Sequence, residues 1–331
     1  VSEWAEWFEG LHRAETGITI VAQEWLWWMG PLLWLVSALG ADGTVLVALS
    51  AVYWCVSPRL GVRVGLAVLV SAGVNAVAKL AFHQPRPAWI DGRVRVLSGE
   101  GSFGMPSGHA QTSLVAGRVL VGGGRGPYGV PSAQWAAFGF VALVSVSRVY
   151  LGVHFVSDVL GGPALGALLL LVYERLGGPA ARWWRARAMA VQLALSVAAG
   201  AVLLGGGALA TLAHEGWSLP AAWREAGADD PGGMDRVVAM SGAVTGALAG
   251  ASVMARAGWF SAAGPAGVRA LRWLIGMAGA VLVWAAAGVL GETIAAGAVR
   301  YTLVALWVVL GAPLLFLRLG LARPREVTAG P

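Results

Sequence analysis

Apolar and polar positions along this chain are segregated into long blocks. Residues 126–147, 188–213, 237–255, 273–291 and 301–317 contain no charged side chain, and 43–58, 64–78, 107–117 and 159–173 are apolar runs each closed at once by a charge. A helix needs ~20 mostly apolar residues to cross a bilayer. The pattern therefore predicts nine spans, near 31–57, 61–83, 107–123, 131–151, 154–174, 189–212, 236–256, 270–290 and 300–319. A separate span over 25–41, joined through Gly40-Ala41-Asp42-Gly43, is the ten-span alternative.

Ahead of the first block, Trp4, Trp7, Phe8 and Leu11 recur at helical spacing opposite Glu3, Glu6 and Arg13. That spacing predicts an amphipathic helix lying on the membrane interface, with a surface helix packed on loops as the alternative. The expected fold is an all-α polytopic membrane helix bundle of about nine transmembrane helices with this N-terminal amphipathic interfacial helix. Three regions follow: an interfacial segment (1–30), a core (31–175) and a four-helix membrane extension (176–331).

Composition agrees. Charged residues are 12% of the 331, about half the ~25% share of a soluble domain, and the mean hydropathy is +0.70. A disordered chain, a disulfide scaffold and an ordinary soluble enzyme are excluded. The net charge of +6 does not call for nucleic acid, because no basic run with interleaved aromatics exists and loops on the cytoplasmic side collect Arg and Lys. The loops 58–63, 118–130, 175–188 and 256–272 and the tail from Arg318, with their flanking span ends, hold fourteen of the 23 basic residues but only Glu174 and Glu326 as acids. The expected protein is therefore multi-pass and integral to a membrane (the cell membrane if bacterial), with its N-terminus outside and its C-terminus cytoplasmic. Its acidic, Trp-rich start does not have the basic-then-apolar pattern expected of a cleavable leader.

Against this background the charges that enter span ends stand out, and all fall on the outer side. Lys79 and Arg86 end the second span, Pro106-Ser107-Gly108-His109 opens the third, and Ser147-Arg148 with His154 and Asp158 bridges the fourth and fifth. Ionisable residues at such depth are functional candidates. Lys79, Arg86 and Arg148 supply donors and positive charge suited to a phosphoryl dianion. Ser107 and Gly108 follow a proline at a helix start, where backbone N–H groups and the helix dipole favour an anion. His154 and Asp158 are four residues apart, so the carboxylate can fix the imidazole tautomer and leave the other ring nitrogen as nucleophile. His109 is then available to protonate the departing oxygen. No Asp/Glu/His set has the spacing of a metal site, and neither a metal nor another cofactor is expected.

The three motifs, Lys79-x6-Arg86-Pro87, Pro106-Ser107-Gly108-His109 and Ser147-Arg148-x5-His154-x3-Asp158, resemble the signature of the type 2 phosphatidic acid phosphatases and vanadium haloperoxidases. The resemblance implies a metal-independent phosphatase in which His154 forms a phosphohistidine, Asp158 orients it and His109 is the general acid and base. Lys79, Arg86, Ser107, Gly108 and Arg148 would bind the phosphate oxygens at an outward-facing site. The nine-span count and the stretch from Leu35 to Trp89 are also similar to the glucose-6-phosphatase branch.

The leading expectation is hydrolysis of a lipid or prenyl phosphate monoester, with sugar-phosphate hydrolysis or lipid phosphotransfer as alternatives. A non-enzymatic lipid transporter is the reading from another class, although its charges would be expected near mid-membrane rather than at one edge. Partners are the bilayer and a phosphorylated lipid or sugar. His83 reads as an interfacial side chain, His12 and His214 as solvent-facing, Asp42 as a helix cap, and 214–235 as a solvated loop with aromatic anchors.

Overall fold

The computed structural model describes residues 3–122 and 131–325, and its side chains from Gly10 onward except at Asp42, Pro131 and Ser132. The expectations placed on Trp4, Trp7, Phe8 and Asp42 fall outside the described side chains. In chain order the helices are α1 (Glu3–Trp25), α2 (Gly30–Gly40), α3 (Asp42–Cys55), α4 (Pro58–Phe82), α5 (Pro87–Ile90), α6 (Gly108–Val121) and α7 (Pro131–Tyr150). There follow α8 (Val156–Arg185), α9 (Met189–Leu212), α10 (Ala221–Glu225), α11 (Asp235–Arg256), α12 (Ala266–Ala287), α13 (Ile294–Leu306) and α14 (Ala312–Arg318). Two two-residue strands, β1 (Phe260–Ser261) and β2 (Arg323–Pro324), pair antiparallel. The all-α expectation holds.

The span count does not. Among the described residues six helices are long and apolar enough to cross a membrane, or seven if the broken pair Trp27–Gly40 and Gly43–Cys55 counts as one. The break falls at Ala41, whose extended backbone ends α2. The expected third and fourth spans are helical but do not qualify. The third, α6, has 14 residues, or about 21 Å of helix against a ~30 Å core. The fourth, α7, carries Gln134, Ser145, Ser147 and Arg148 within its 20 residues. Local hydropathy alone makes both look like spans, but one lacks the length and the other the uniform apolarity.

Two compact units are present, neither of them continuous in sequence. The first comprises Val1–Thr44, Val74–Leu171 and Gly207–Met234. In it α1 turns a polar stripe inward: His12, Glu15, Thr16, Thr19 and Gln23 are buried while Ile18 and Val21 are exposed. Each buried group has work to do. Glu15 accepts from the backbone N–H (2.8 Å) and hydroxyl (2.7 Å) of Ser157, Gln23 donates to the Arg95 and Tyr150 carbonyls, and His12 stacks on Phe155 with ring centroids 4.4 Å apart. From Gly10 onward α1 is thus the packed helix of the alternative reading, and His12 is buried rather than solvent-facing.

The second unit comprises Val45–Gly73, Val172–Gly206 and Asp235–Pro331. Its core is a close approach of α11 to α13. A Cβ on Gly242 would lie 2.3 Å from the Ala298 carbonyl oxygen, and one on Gly246 would lie 2.3 Å from that of Thr302. Small residues four apart let two backbones approach where lipid supplies no hydrophobic drive between helices.

Candidate active site

All eight residues singled out from the motifs lie in the first unit. Lys79 is in the last turn of α4, and Arg86 precedes α5. Ser107 is the residue before α6, and Arg148 is in the last turn of α7. His154 sits just ahead of α8, with Asp158 in that helix's first turn. Lys79 (6% exposed), Arg86 (3%), Arg148 (1%), His154 (1%), Asp158 (0%) and Ser107 (0%) are all buried.

Arg86 ties the three motifs together. Its Nε donates to the Ser102 carbonyl at 2.6 Å, one terminal nitrogen to the Val153 carbonyl at 2.6 Å, and the other to the Phe103 carbonyl at 3.2 Å. Lys79 shares that last acceptor, its Nζ donating to Phe103 at 2.8 Å and to the Ser102 hydroxyl at 3.0 Å. The first-motif cations therefore hold the backbone that leads into the second motif and the residue preceding His154. A further pair of amides fixes the second motif. Asn75, one helical turn before Lys79, donates from Nδ2 to the Pro106 carbonyl at 3.2 Å and to the Gln111 side-chain oxygen at 2.8 Å. Where α8 crosses the second motif only glycine fits, since a Cβ on Gly162 would lie 2.4 Å from the Ser107 carbonyl oxygen.

The imidazole of His154 meets the Asp158 carboxylate through Nδ1 at 3.1 Å. The same carboxylate oxygen accepts the Phe155 backbone N–H at 3.0 Å, so its position is set before the imidazole is counted. Burial pushes the His154 pKa well below the usual histidine value, and the charges of Arg86, Lys79, Arg148 and His109 push it the same way. The ring is therefore neutral at neutral pH. With Nδ1 turned to the carboxylate, Nε2 carries the lone pair.

The Ser107 backbone N–H donates to the Asp158 carbonyl at 3.0 Å, which joins the second motif to the third. Its hydroxyl is buried and has no hydrogen-bond partner among the described residues, and the same is true of Arg148 Nε. Buried donors are rarely left unmet. Two orphans beside a neutral histidine and the unbonded first-turn N–H groups of α6 make a cradle for an oxyanion. His109, in that first turn, is half-buried. No group of three or more His, Cys, Asp or Glu among the described residues is placed to hold a metal.

Two residues in the site were not found from sequence. Glu100, on the loop between α5 and α6, pairs with Arg148 and lies 3.7 Å from Arg86. Burial raises its carboxyl pKa, but the charges of Arg86, Arg148, Lys79 and His109 outweigh this and hold it at about 2. Ser37 accepts the other terminal nitrogen of Arg148 at 2.6 Å. Neither gave a signal, Glu100 being one acid in a Gly- and Ser-rich stretch and Ser37 one hydroxyl in an apolar run.

The segment after α9 is mostly exposed and contains the short α10, and its aromatics anchor it, as expected of a solvated loop with aromatic anchors. Trp217 packs on Phe103 (ring centroids 5.6 Å apart) and Trp223 on Trp89 (5.5 Å). His214, read as solvent-facing, stacks on His83 at 3.7 Å. Beside this cluster lies a cavity of about 740 Å³, whose lining includes His83, Trp89, Arg93 and Trp223 but none of the motif histidines.

Comparison with known proteins points the same way. Residues 60–182 match the family model described as PAP2 superfamily, and residues 238–324 match PAP2 superfamily phosphatase, transmembrane extension. The chain is 34% identical over 119 residues to phosphatidylglycerophosphatase B of Bacillus subtilis, covering 33% of this chain and 56% of that one. It is 29% identical over 139 residues to sphingosine-1-phosphate phosphatase 2 of Mus musculus, covering 40% and 38% respectively. The matched regions thus span about half or less of these relatives. Among solved structures, the first transmembrane PAP2 type phosphatidylglycerolphosphate phosphatase from Bacillus subtilis is similar, with 26% sequence identity and a TM-score of 0.42, over 51% of this chain and 87% of that one.

Proposed function

With the PAP2 superfamily matches at residues 60–182 and 238–324 as premise, we propose that this protein is a membrane phosphatase cleaving lipid phosphate monoesters through a phosphohistidine. One observation carries the reading. A neutral, carboxylate-held His154 is buried within reach of the charges of Arg86, Lys79 and Arg148, and two buried donors of the same motifs, Ser107 Oγ and Arg148 Nε, are left without partners among the described residues. Three cations near lipid are costly to bury, and a phosphoryl dianion repays them with both charge and acceptors.

The steps follow from the atoms. Nε2 of His154 attacks phosphorus, the bond to the ester oxygen breaks, and that oxygen takes a proton from His109. Developing charge falls on Arg148, Ser107 and the α6 N-terminus, which are in place before the reaction. The dianion favours the protonated form of His109 until then. Water, deprotonated by His109, next attacks phosphorus. The P–N bond breaks, its electron pair returns to Nε2, and orthophosphate leaves. Asp158 stabilises the imidazole cation when Nε2 is bonded to phosphorus.

A lipid substrate is supported by the two curated relatives, whose names specify a phosphatidylglycerophosphatase and a sphingosine-1-phosphate phosphatase. It also fits a site set among membrane helices. The sugar-phosphate alternative leaned on nine spans, and six or seven candidates remove that ground. An outward-facing site, from the arginine distribution, belongs to the same proposal.

The test is phosphate release by purified protein in detergent from phosphatidate, phosphatidylglycerophosphate, sphingosine 1-phosphate and glucose 6-phosphate, with EDTA and with added divalent metal. Release from the lipids in EDTA is expected. No release from any of the four under either condition would overturn the enzyme reading, and release from glucose 6-phosphate alone would overturn the lipid assignment.

A further inference from the structure

Glu100 pairs with the cations that the cradle reading assigns to phosphate. Its carboxylate takes one terminal nitrogen of Arg148, lies 3.7 Å from the guanidinium of Arg86, and is subject to the charges of Lys79 and His109. The other terminal nitrogen of Arg148 is engaged by Ser37 and the donors of Arg86 by backbone carbonyls. An anion that uses Arg148 Nε and Ser107 Oγ and pairs with the Arg148 guanidinium must therefore compete with Glu100 for its terminal nitrogen. The guanidinium cannot pair fully with both at once.

The loop is built so that this carboxylate can leave. Glu100 lies between Gly99 and Gly101, and a Cβ at either glycine would meet nothing within 4 Å. The stretch is fixed on both sides: the Leu97 backbone N–H donates to the Leu151 carbonyl at 3.1 Å, and Arg86 Nε holds the Ser102 carbonyl at 2.6 Å. Between these anchors the tip has little packing to lose and two residues of wide backbone freedom. Exposure points outward too. The side chain of Glu100 is 24% accessible, whereas those of its partners Arg86 and Arg148 are 3% and 1%. The carboxylate is the member of the cluster with a way into solvent.

We propose that Glu100 is an internal anion of the phosphate cradle, which occupies it before substrate arrives and is displaced by the incoming phosphoryl group. This rests on the cradle reading above. It explains how three cations persist in a buried site before substrate binds, since an uncompensated buried charge is strongly destabilising. It also makes affinity a difference: a ligand must bind the cations better than a tethered carboxylate does. A dianion with several acceptor oxygens meets that demand, whereas a monoanion of similar size does so poorly. The apparent affinity for phosphate is lowered by the fraction of molecules in which Glu100 has moved aside.

The experiment is equilibrium binding of inorganic orthophosphate to the purified full chain, by calorimetry or labelled phosphate, in wild type, Glu100→Gln and Glu100→Asp. The first variant keeps shape and removes charge, and the second keeps charge and shortens the arm. Both are expected to bind orthophosphate more tightly, Glu100→Gln by about tenfold or more. Equal or weaker binding by both variants, in protein whose thermal unfolding shows it folded, would overturn the displacement role and make Glu100 a permanent counter-ion. Should one variant fail to fold, the other decides alone. Absence of orthophosphate binding in all three proteins would overturn the cradle reading and the Glu100 role with it, whereas equal binding by all three removes the Glu100 role alone.

Discussion

Asp158 Oδ2 lies 3.1 Å from Nδ1 of His154 and accepts the Phe155 backbone N–H from the other direction at 3.0 Å. The carboxylate is thus anchored by the chain on which the imidazole rides, and the pair is set as a unit at the start of α8. Because Asp158 can only accept while ionised, the His154 proton is held on Nδ1 and Nε2 is left as the nucleophile.

Asp158→Asn tests this directly. The amide can present an N–H to Nδ1, which moves the proton to Nε2 and removes the attacking lone pair. The expected result is a loss in kcat of roughly 10³- to 10⁴-fold, the scale on which such tautomer reversal acts in other His-dependent catalysts, with KM little changed. Steady-state phosphate release measures both. A kcat within tenfold of wild type would show that the pairing does not set the tautomer.

The His154–Asp158 spacing was legible in the sequence because both residues are chemical types placed one helical turn apart in an otherwise apolar region. The Lys79, Arg86 and Arg148 cations were legible for the same reason: a charge at a span end has to be accounted for. Glu100 was not. It sits in a run of glycine and serine where an acid looks like ordinary solvated loop, and its partners are 14 and 48 residues away along the chain. The inward polar stripe of α1 was also hidden, because periodicity shows that a helix has two faces but not which face is buried. His12 and Glu15 look like surface residues until Phe155 and Ser157 are brought against them. The span count failed for a further reason: α6 is apolar enough to look like a crossing but stops after 14 residues.

Lys79 is the chain's sole lysine among 23 basic residues, and the structure gives a reason for it. Its Nζ and the guanidinium of Arg86 share Ser102 and the Phe103 carbonyl as acceptors. A compact ammonium fits beside the planar fork, but a second guanidinium would collide with the first. Lys79→Arg, which preserves charge, is therefore expected to destabilise the protein by about 1–3 kcal/mol through overpacking and to raise KM. Thermal unfolding and steady-state kinetics check it. A variant with wild-type values of both would show that only the charge matters.

Glu15 caps α8 from a distance, taking the backbone N–H and hydroxyl of Ser157, one residue before Asp158. Removing the acceptor leaves a first-turn N–H unmet and takes a negative charge from the positive end of the helix dipole. Glu15→Ala is expected to cost about 1–2 kcal/mol of stability and to lower kcat by loosening Asp158, while Glu15→Gln, which keeps an acceptor, recovers most of both. Denaturant unfolding alongside activity separates the variants. If all three proteins unfold alike, Glu15 is not a cap.

The last prediction concerns acid. Burial lowers the pKa of His12 from the ordinary histidine value of about 6.5 to about 4, so the folded protein holds it neutral where the unfolded chain takes up a proton. Between those two values the unfolded state binds more protons, and stability must fall as pH falls. The full drop for this one group is on the order of 3 kcal/mol, absent above pH 6.5 and complete by about pH 4. His12→Phe keeps an aromatic ring against Phe155 and removes the titration. Its stability is expected to depend less on pH than wild type across that window, with the two curves converging in shape above pH 7. Unfolding free energies measured in detergent at half-unit steps from pH 4 to 8 would show it. Parallel curves throughout would mean that His12 is not held neutral, and the stacked contact with Phe155 would then carry no pH dependence.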